Sequence, residues 1–176
     1  ATGGSVFIEN AKHGHIRALI DKMNETGVSV KHSMDSIEVK AEKRLKSVDV
    51  ITLPYPGYPT DLQAQIMAAM SVADGISVIT EKVYPERFIH ISELNRMGAD
   101  IKLEGATAIV KGKGKLSGAS VMASDLRASA GLVIAGLLAE GKTEIFRVYH
   151  IDRGYENIEK KLALLGANIE RKKEES

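Results

Sequence analysis

Apolar positions recur along the chain with two alternating periods. Leu62, Ile66, Ala69, Met70 and Ala73 fall at helical spacing and predict a helix over 61–73. Thr60, with Gln63 three residues on, reads as a capping-box start, and Gly75 reads as a stop. Leu126, Ala130, Val133, Ile134, Leu137 and Leu138 stripe a stronger helix. Tyr155, Ile158, Leu162 and Leu165 stripe another before Gly166. Ile16, Leu19, Ile20 and Met23 predict a helix ending at Gly27, and 87–97 a shorter one ending at Gly98. Between these lie β-rich runs at Ser5–Glu9, 48–52, 76–83, Thr143–Val148 and Asn168–Arg171. Ile101–Leu103 and Thr107–Val110 flank Glu104-Gly105-Ala106 as a hairpin, and Val28–Lys31 with Ile37–Lys40 form another around Met34-Asp35.

The pattern repeats. PTDLQAQ from Pro59 aligns with ASDLRAS from Ala123 at an offset of 64. Ala73-Asp74-Gly75 then aligns with Ala139-Glu140-Gly141, Arg87 with Arg153, and Met97-Gly98-Ala99 with Leu165-Gly166-Ala167, the offset drifting only to 68. The repeated unit reads β-α-β-α-β-β, which is longer than the common solenoid repeats. The fold class expected is therefore α/β, with units at about 1–44 (rear half only), 48–112 and 116–176 (last strand missing), all within one domain spanning 1–176. Units cut this way leave an unpaired sheet edge and an uncovered apolar face, so the chain is expected to be part of a larger protein. Divergent terminal units acting as caps are the alternative.

Composition narrows the chemistry. With 44% hydrophobic and 27% charged residues the 176-residue chain is of the globular class. Lys+Arg 24 against Asp+Glu 23 excludes a polybasic nucleic-acid protein by bulk charge, though not a local basic site. No apolar run reaches the length of a membrane span, and no signal peptide opens the chain. The absence of cysteine excludes disulfides, thiolate metal sites and a cysteine nucleophile. The five histidines are scattered, and no metal site or cofactor is read. There is no GxSxG elbow, and Gly112-Lys113-Gly114-Lys115 lacks the spacing of a phosphate-binding loop and reads as a solvated turn.

Two carboxylates and three guanidiniums remain as candidates. Asp61 and Asp125 occupy the same place in two units, each on the first turn of a helix. Either they serve the helix dipole and its free N–H groups, or one is a general base or hydroxyl-binding group at a strand–helix junction. Arg87, Arg127 and Arg153 sit at junctions that should share one end of the fold. They make either an anion site for phosphate and carboxylate or a set of surface ion pairs of small individual worth. Three of the four prolines lie in Pro54-Tyr55-Pro56-Gly57-Tyr58-Pro59, a stiff connector leading into Asp61.

PYPGYPTDLQAQ (54–65), EKVYPERFIHISELNRMGA (81–99), LSGASVMASDLRASAGLVIAGLLAEG (116–141) and YHIDRGYENIEKKLALLGANIER (149–171) closely resemble the UDP-N-acetylglucosamine 1-carboxyvinyltransferases, or UDP-GlcNAc enolpyruvyl transferases. The likeness runs in order over 48–172, and more loosely over the start. The sister family that enolpyruvylates shikimate 3-phosphate shares the fold but does not look like this at those segments. The resemblance implies two similar domains of β-α-β-α-β-β units, arranged as inside-out α/β barrels with helices inside and an active site in the cleft between domains. This chain resembles the larger part of the C-terminal domain.

The implied reaction moves enolpyruvyl from phosphoenolpyruvate to the 3-hydroxyl of UDP-N-acetylglucosamine and releases phosphate, through a tetrahedral ketal. It is the first committed step of peptidoglycan synthesis, a cytoplasmic step of cell wall biogenesis on which cell shape and division depend. Asp61 resembles the general base on the sugar hydroxyl, and Asp125 an acid near the reacting centre. Arg127 and Arg153 resemble the arginines that bind phosphoenolpyruvate, Arg87 another facing it, and Val83 and Tyr84 the stretch lining the UDP-sugar site. The family's mobile loop carries a cysteine or aspartate that protonates phosphoenolpyruvate, and this chain holds no such cysteine. The chain alone is therefore expected to be inactive, with UDP-N-acetylglucosamine and phosphoenolpyruvate as partners and neither nucleic acid nor membrane. A non-catalytic binding module, with its arginines on separate surfaces, and an enzyme of the sister class are the competing readings.

Overall fold

A computed structural model describes residues 2–172. Residues 173–176, the end of the third expected unit, lie outside the described residues. β1 (Gly4–Glu9), α1 (Arg17–Glu25), β2 (Ser29–His32) and β3 (Ser36–Ala41) form the first unit, with an antiparallel sheet ordered β1-β3-β2. A short 3-10 turn over His13–Ile16 leads into α1, and Gly27, at φ 88, ends its turn region as its sequence position predicts.

The second unit follows the β-α-β-α-β-β reading throughout. β4 (Val50–Ile51), α2 (Gln63–Met70), β5 (Ile76–Thr80), α3 (His90–Arg96), β6 (Asp100–Glu104) and β7 (Thr107–Lys111) build a four-stranded sheet ordered β4-β5-β7-β6. β4 pairs in parallel with β5, and the β6–β7 hairpin closes the antiparallel side. The third unit has β8 (Leu116–Ser117) and β9 (Ser120–Met122), then α4 (Leu126–Leu138), β10 (Ala139–Glu140), β11 (Glu144–Phe146), α5 (Tyr149–Asp152) and α6 (Ile158–Leu164). Its strands pair in parallel as β8–β10 and β9–β11, interrupted near Gly118. A side chain there would meet the Lys142 carbonyl at 2.3 Å.

Burial shows helices inside and sheets outside. α2 buries Gln63, Ala64, Ile66, Met67, Ala68 and Met70, which occupy all sides of the helix. α4 does the same through Ala128–Val133 and Ala135. The two helices pack on each other through small residues: a Cβ on Gly131 would stand 3.0 Å from the Ala64 carbonyl. Leu132 and Met67 are fully enclosed, and each such side chain contributes about 1.5–3 kcal/mol by leaving water. Strand positions pointing away from the helices, such as Ile76 and Leu103, are exposed. The four sheets share no strand pairing among the described residues, so they do not join into one continuous barrel.

Three expectations change. The helix expected over 61–73 is preceded by a 3-10 turn, Thr60–Leu62, whose start has no side-chain cap. Thr60 and Gln63 make no capping box because both side chains bond other elements. The run 76–83 leaves its sheet at Thr80, and the following acid, Glu81, turns inward. Asn168–Arg171 forms no strand, since it pairs with none among the described residues, and Arg171 instead grips Asp152 at 2.6 and 2.8 Å. Gly112–Lys115 is the solvated turn expected, with Lys113, Gly114 and Lys115 exposed, and it is anchored where the Gly112 amide donates to the Gly75 carbonyl.

Candidate functional site

The connector into Asp61 folds back on itself. The Leu53 amide donates to the Tyr58 carbonyl at 2.9 Å, and the Gly57 amide to Pro54 at 2.9 Å. Tyr58 is buried, and its hydroxyl donates to the Leu62 carbonyl at 3.3 Å. The closed loop delivers Thr60 and Asp61 to the mouth of α2 from a fixed direction.

There Asp61, 59% exposed at its side chain, meets two guanidiniums. Arg127 Nε donates to Asp61 Oδ1 at 2.8 Å and Arg87 Nη1 to the same oxygen at 3.1 Å. Oδ2 has no partner among the described residues, so the carboxylate is held by one oxygen and open at the other. The hydrogen bond from Arg127, with the charges of Arg127 and Arg87, holds the Asp61 carboxyl below its ordinary value against partial desolvation. The same contact raises Arg127. Arg87 is fixed further by Thr60 Oγ1, which accepts from its Nη1 at 2.9 Å, and by the Tyr84 ring, whose centre lies 4.4 Å from the guanidinium carbon.

Asp125 is used differently. Its Oδ1 accepts from the amides of Arg127 and Ala128 at 2.7 and 2.9 Å, an N-cap of α4. Ser129 Oγ bonds the Asp125 carbonyl one turn on. Asp125 thereby fixes the turn from which Arg127 reaches Asp61. Arg153 follows α5 and is exposed, with no ion pair among the described residues. Its neighbours tie that loop to the same end of the fold: Gly154 packs on Leu126, and the Tyr155 hydroxyl accepts from Gln65 Nε2 of α2 at 3.3 Å. Val83 is half-buried, and Tyr84 is exposed beside Arg87.

Sequence reasoning missed what lies beneath. Glu81, 1% exposed, accepts from the Thr52 hydroxyl at 2.5 Å and from the Val83 and Tyr84 amides at 2.9 Å each, all on Oε1. Its Oε2 accepts from the Thr60 hydroxyl at 2.9 Å. Burial pushes its carboxyl up, but these hydrogen bonds outweigh burial and leave it below the ordinary value. The one signal in the sequence was an acid inside the β-rich run 76–83. His90 is also buried, and burial lowers it to about 4.

The site is an open face. Two concavities have linings that include none of Asp61, Arg87 and Arg127, one around Asp152 and Arg171, the other, of about 790 Å³, between Arg17 and Pro59. Among the described residues no group of three or more His, Cys, Asp or Glu could hold a metal ion, and no helix is long and apolar enough to cross a membrane.

The family model described as EPSP synthase (3-phosphoshikimate 1-carboxyvinyltransferase) matches residues 1–162. The chain belongs to this family. Within it, the chain is 58% identical over 170 residues to a UDP-N-acetylglucosamine 1-carboxyvinyltransferase of Desulfosudis oleivorans, covering 97% of this chain and 41% of that protein. It is 56% identical over 173 residues to the Geobacter metallireducens protein of the same name, covering 98% and 42%. The motif resemblance is thus borne out, and the chain spans about two-fifths of the length of these relatives. Among solved structures, the enolpyruvyl transferase NikO from Streptomyces tendae superposes with a TM-score of 0.84 at 26% identity, over 94% of this chain and 40% of that one. An EPSP synthase from Acinetobacter baumannii, at 18% identity and a TM-score of 0.61, shares the fold.

Proposed function

We propose that this chain is one wall of the active site of an enzyme that transfers enolpyruvyl from phosphoenolpyruvate to the 3-hydroxyl of UDP-N-acetylglucosamine. The observation that carries the reading is Asp61, held on Oδ1 by Arg87 and Arg127 with Oδ2 open. The names of relatives more than half identical to this chain support the choice of substrates.

In this reading Asp61 Oδ2 takes the proton of the sugar 3-hydroxyl as its oxygen bonds C2 of phosphoenolpyruvate. The vinyl carbon gains a proton from a donor outside these residues, giving the tetrahedral ketal. Loss of a methyl proton then expels phosphate and restores the double bond. Arg127, Arg87 and Arg153 balance the phosphate and carboxylate charges, and guanidinium forks suit both groups. Val83 and Tyr84 line the sugar side, and Asp125 holds the α4 turn that aims Arg127.

The counterions of the base are also the anion ligands. A phosphoenolpyruvate that draws Arg127 from Asp61, while Arg87 stays in place on Thr60, removes the largest contact that depresses its carboxyl, so the base strengthens when its co-substrate is in place. The complete reading places the enzyme at the first committed step of peptidoglycan synthesis, in the cytoplasm, with these residues belonging to a domain that needs its companion for turnover. Phosphate release should require both substrates and the full-length protein, with none from residues 1–176 alone. Turnover by this chain alone overturns the one-wall reading, and a full-length protein inert to the pair overturns the substrate reading.

A further inference from the structure

The carboxylate beneath the site is assigned no role by the reaction just described. We propose that Glu81 is a positioning residue: one buried carboxylate sets both the Arg87–Asp61 contact and the Val83–Tyr84 turn. The proposal rests on the transferase reading for its effect on rate, but not for its effect on geometry.

An ionised carboxylate only accepts, and Glu81 receives four donors, three on Oε1 and one on Oε2. Thr60 has a single hydroxyl proton. Glu81 Oε2 takes it at 2.9 Å, so the lone pairs of Thr60 Oγ1 are left to face Arg87 Nη1, also at 2.9 Å. The same nitrogen then lies 3.1 Å from Asp61 Oδ1. Thr52 is polarised in the same way: it donates to Glu81 at 2.5 Å and so accepts from the Lys82 amide at 2.9 Å. From the other side, Oε1 gathers the Val83 and Tyr84 amides, which places the Tyr84 ring against Arg87. Arg87 is therefore located from two directions by the same buried group. A donor in place of the Oε2 acceptor breaks the chain. The amide of a glutamine cannot face Oε1's three donors, so its NH₂ must face Thr60, whose proton then loses its acceptor and no longer fixes the hydroxyl's orientation toward Arg87.

The test uses the full-length protein with E81Q, T60V and T60S. E81Q and T60V should each lower kcat about tenfold or more, as expected for sub-ångström displacement of a reacting group. KM for the UDP-sugar should stay within about threefold, and melting temperatures should stay near wild type. T60S keeps the hydroxyl and should restore kcat. The E81Q/T60V double variant should fall no further than the worse single, because both break one chain. T60V at a kcat within twofold of wild type, or fully additive losses, overturns the proposal. Crystal structures of the same variants read the link without activity: Arg87 Nη1 out of reach of Asp61 supports the proposal, and an unchanged pair overturns it. A wild-type protein that transfers nothing overturns only the transferase reading.

Discussion

The starts of α2 and α4 occupy the same place in two copies of one repeat, yet they use their aspartates in opposite ways. Asp125 turns Oδ1 onto two amides of its own helix. Asp61 has no capping bond, because its helix opens with a 3-10 turn and its carboxylate is drawn outward by guanidiniums from two other segments. A carboxylate whose donors are backbone amides of its own turn is committed to local structure. One whose donors are long, partly exposed side chains can be released when those side chains find another anion. The repeat therefore supplied two equivalent acids, and their donors, not their positions, separate the frame from the chemistry.

The contrast breaks most sharply by exchanging oxygen for nitrogen at each acid. Asp61→Asn in the full-length protein should lower kcat by about 10²–10⁴, the range for loss of a general base, with the melting temperature little changed. Steady-state phosphate release checks this, and a rate within a few-fold of wild type would remove Asp61 as the base. Asp125→Ala should act first on stability, by about 1 kcal/mol, as for other N-cap losses. For a domain of this size that shifts the melting temperature by about 2–4 °C. Asp125→Asn, which keeps an acceptor, should recover most of it in the same melts, and equal losses in both would argue against capping.

The smallest effect is in acid. Because Asp61 is depressed in the folded state, its ion pairs contribute stability above the ordinary aspartate value of about 4 and lose it as pH falls through the lower folded value. Exposure keeps that contribution modest. Melts over the acid range should show wild type losing slightly more than Asp61→Asn below pH 4, with the two curves parallel above it.

Much of this was legible in the sequence. Helical periodicity placed α1, α2, α4 and α6, and the offset between PTDLQAQ and ASDLRAS placed both acids. Arg87 and Arg127 were also expected at one mouth, since each sits where a strand gives way to a helix and such junctions share an end of the fold. What stayed hidden was partner choice. Thr60 and Gln63 fit a capping box locally, but Thr60 bonds Glu81 and Arg87, and Gln63 Nε2 donates to the Arg87 carbonyl at 3.3 Å. Those partners are 21 to 27 residues away, beyond any local pattern. Glu81 was hidden for the same reason: a buried acid is identified by donors converging on it from three segments, and no spacing encodes that convergence. Asn168–Arg171 has the composition of a strand, but a strand exists only where another supplies its ladder.

The close approach at Gly131 bears on the site one turn away at the start of the same helix. At Gly131, which has no side chain of its own, the α4 backbone approaches the Ala64 carbonyl and methyl of α2, so the two helices form a close-packed strut there. The separation of base and counterion is then gauged one turn below by a missing methyl group, and anything grown there would wedge the two ends of the strut apart before it disturbed any residue that touches a ligand.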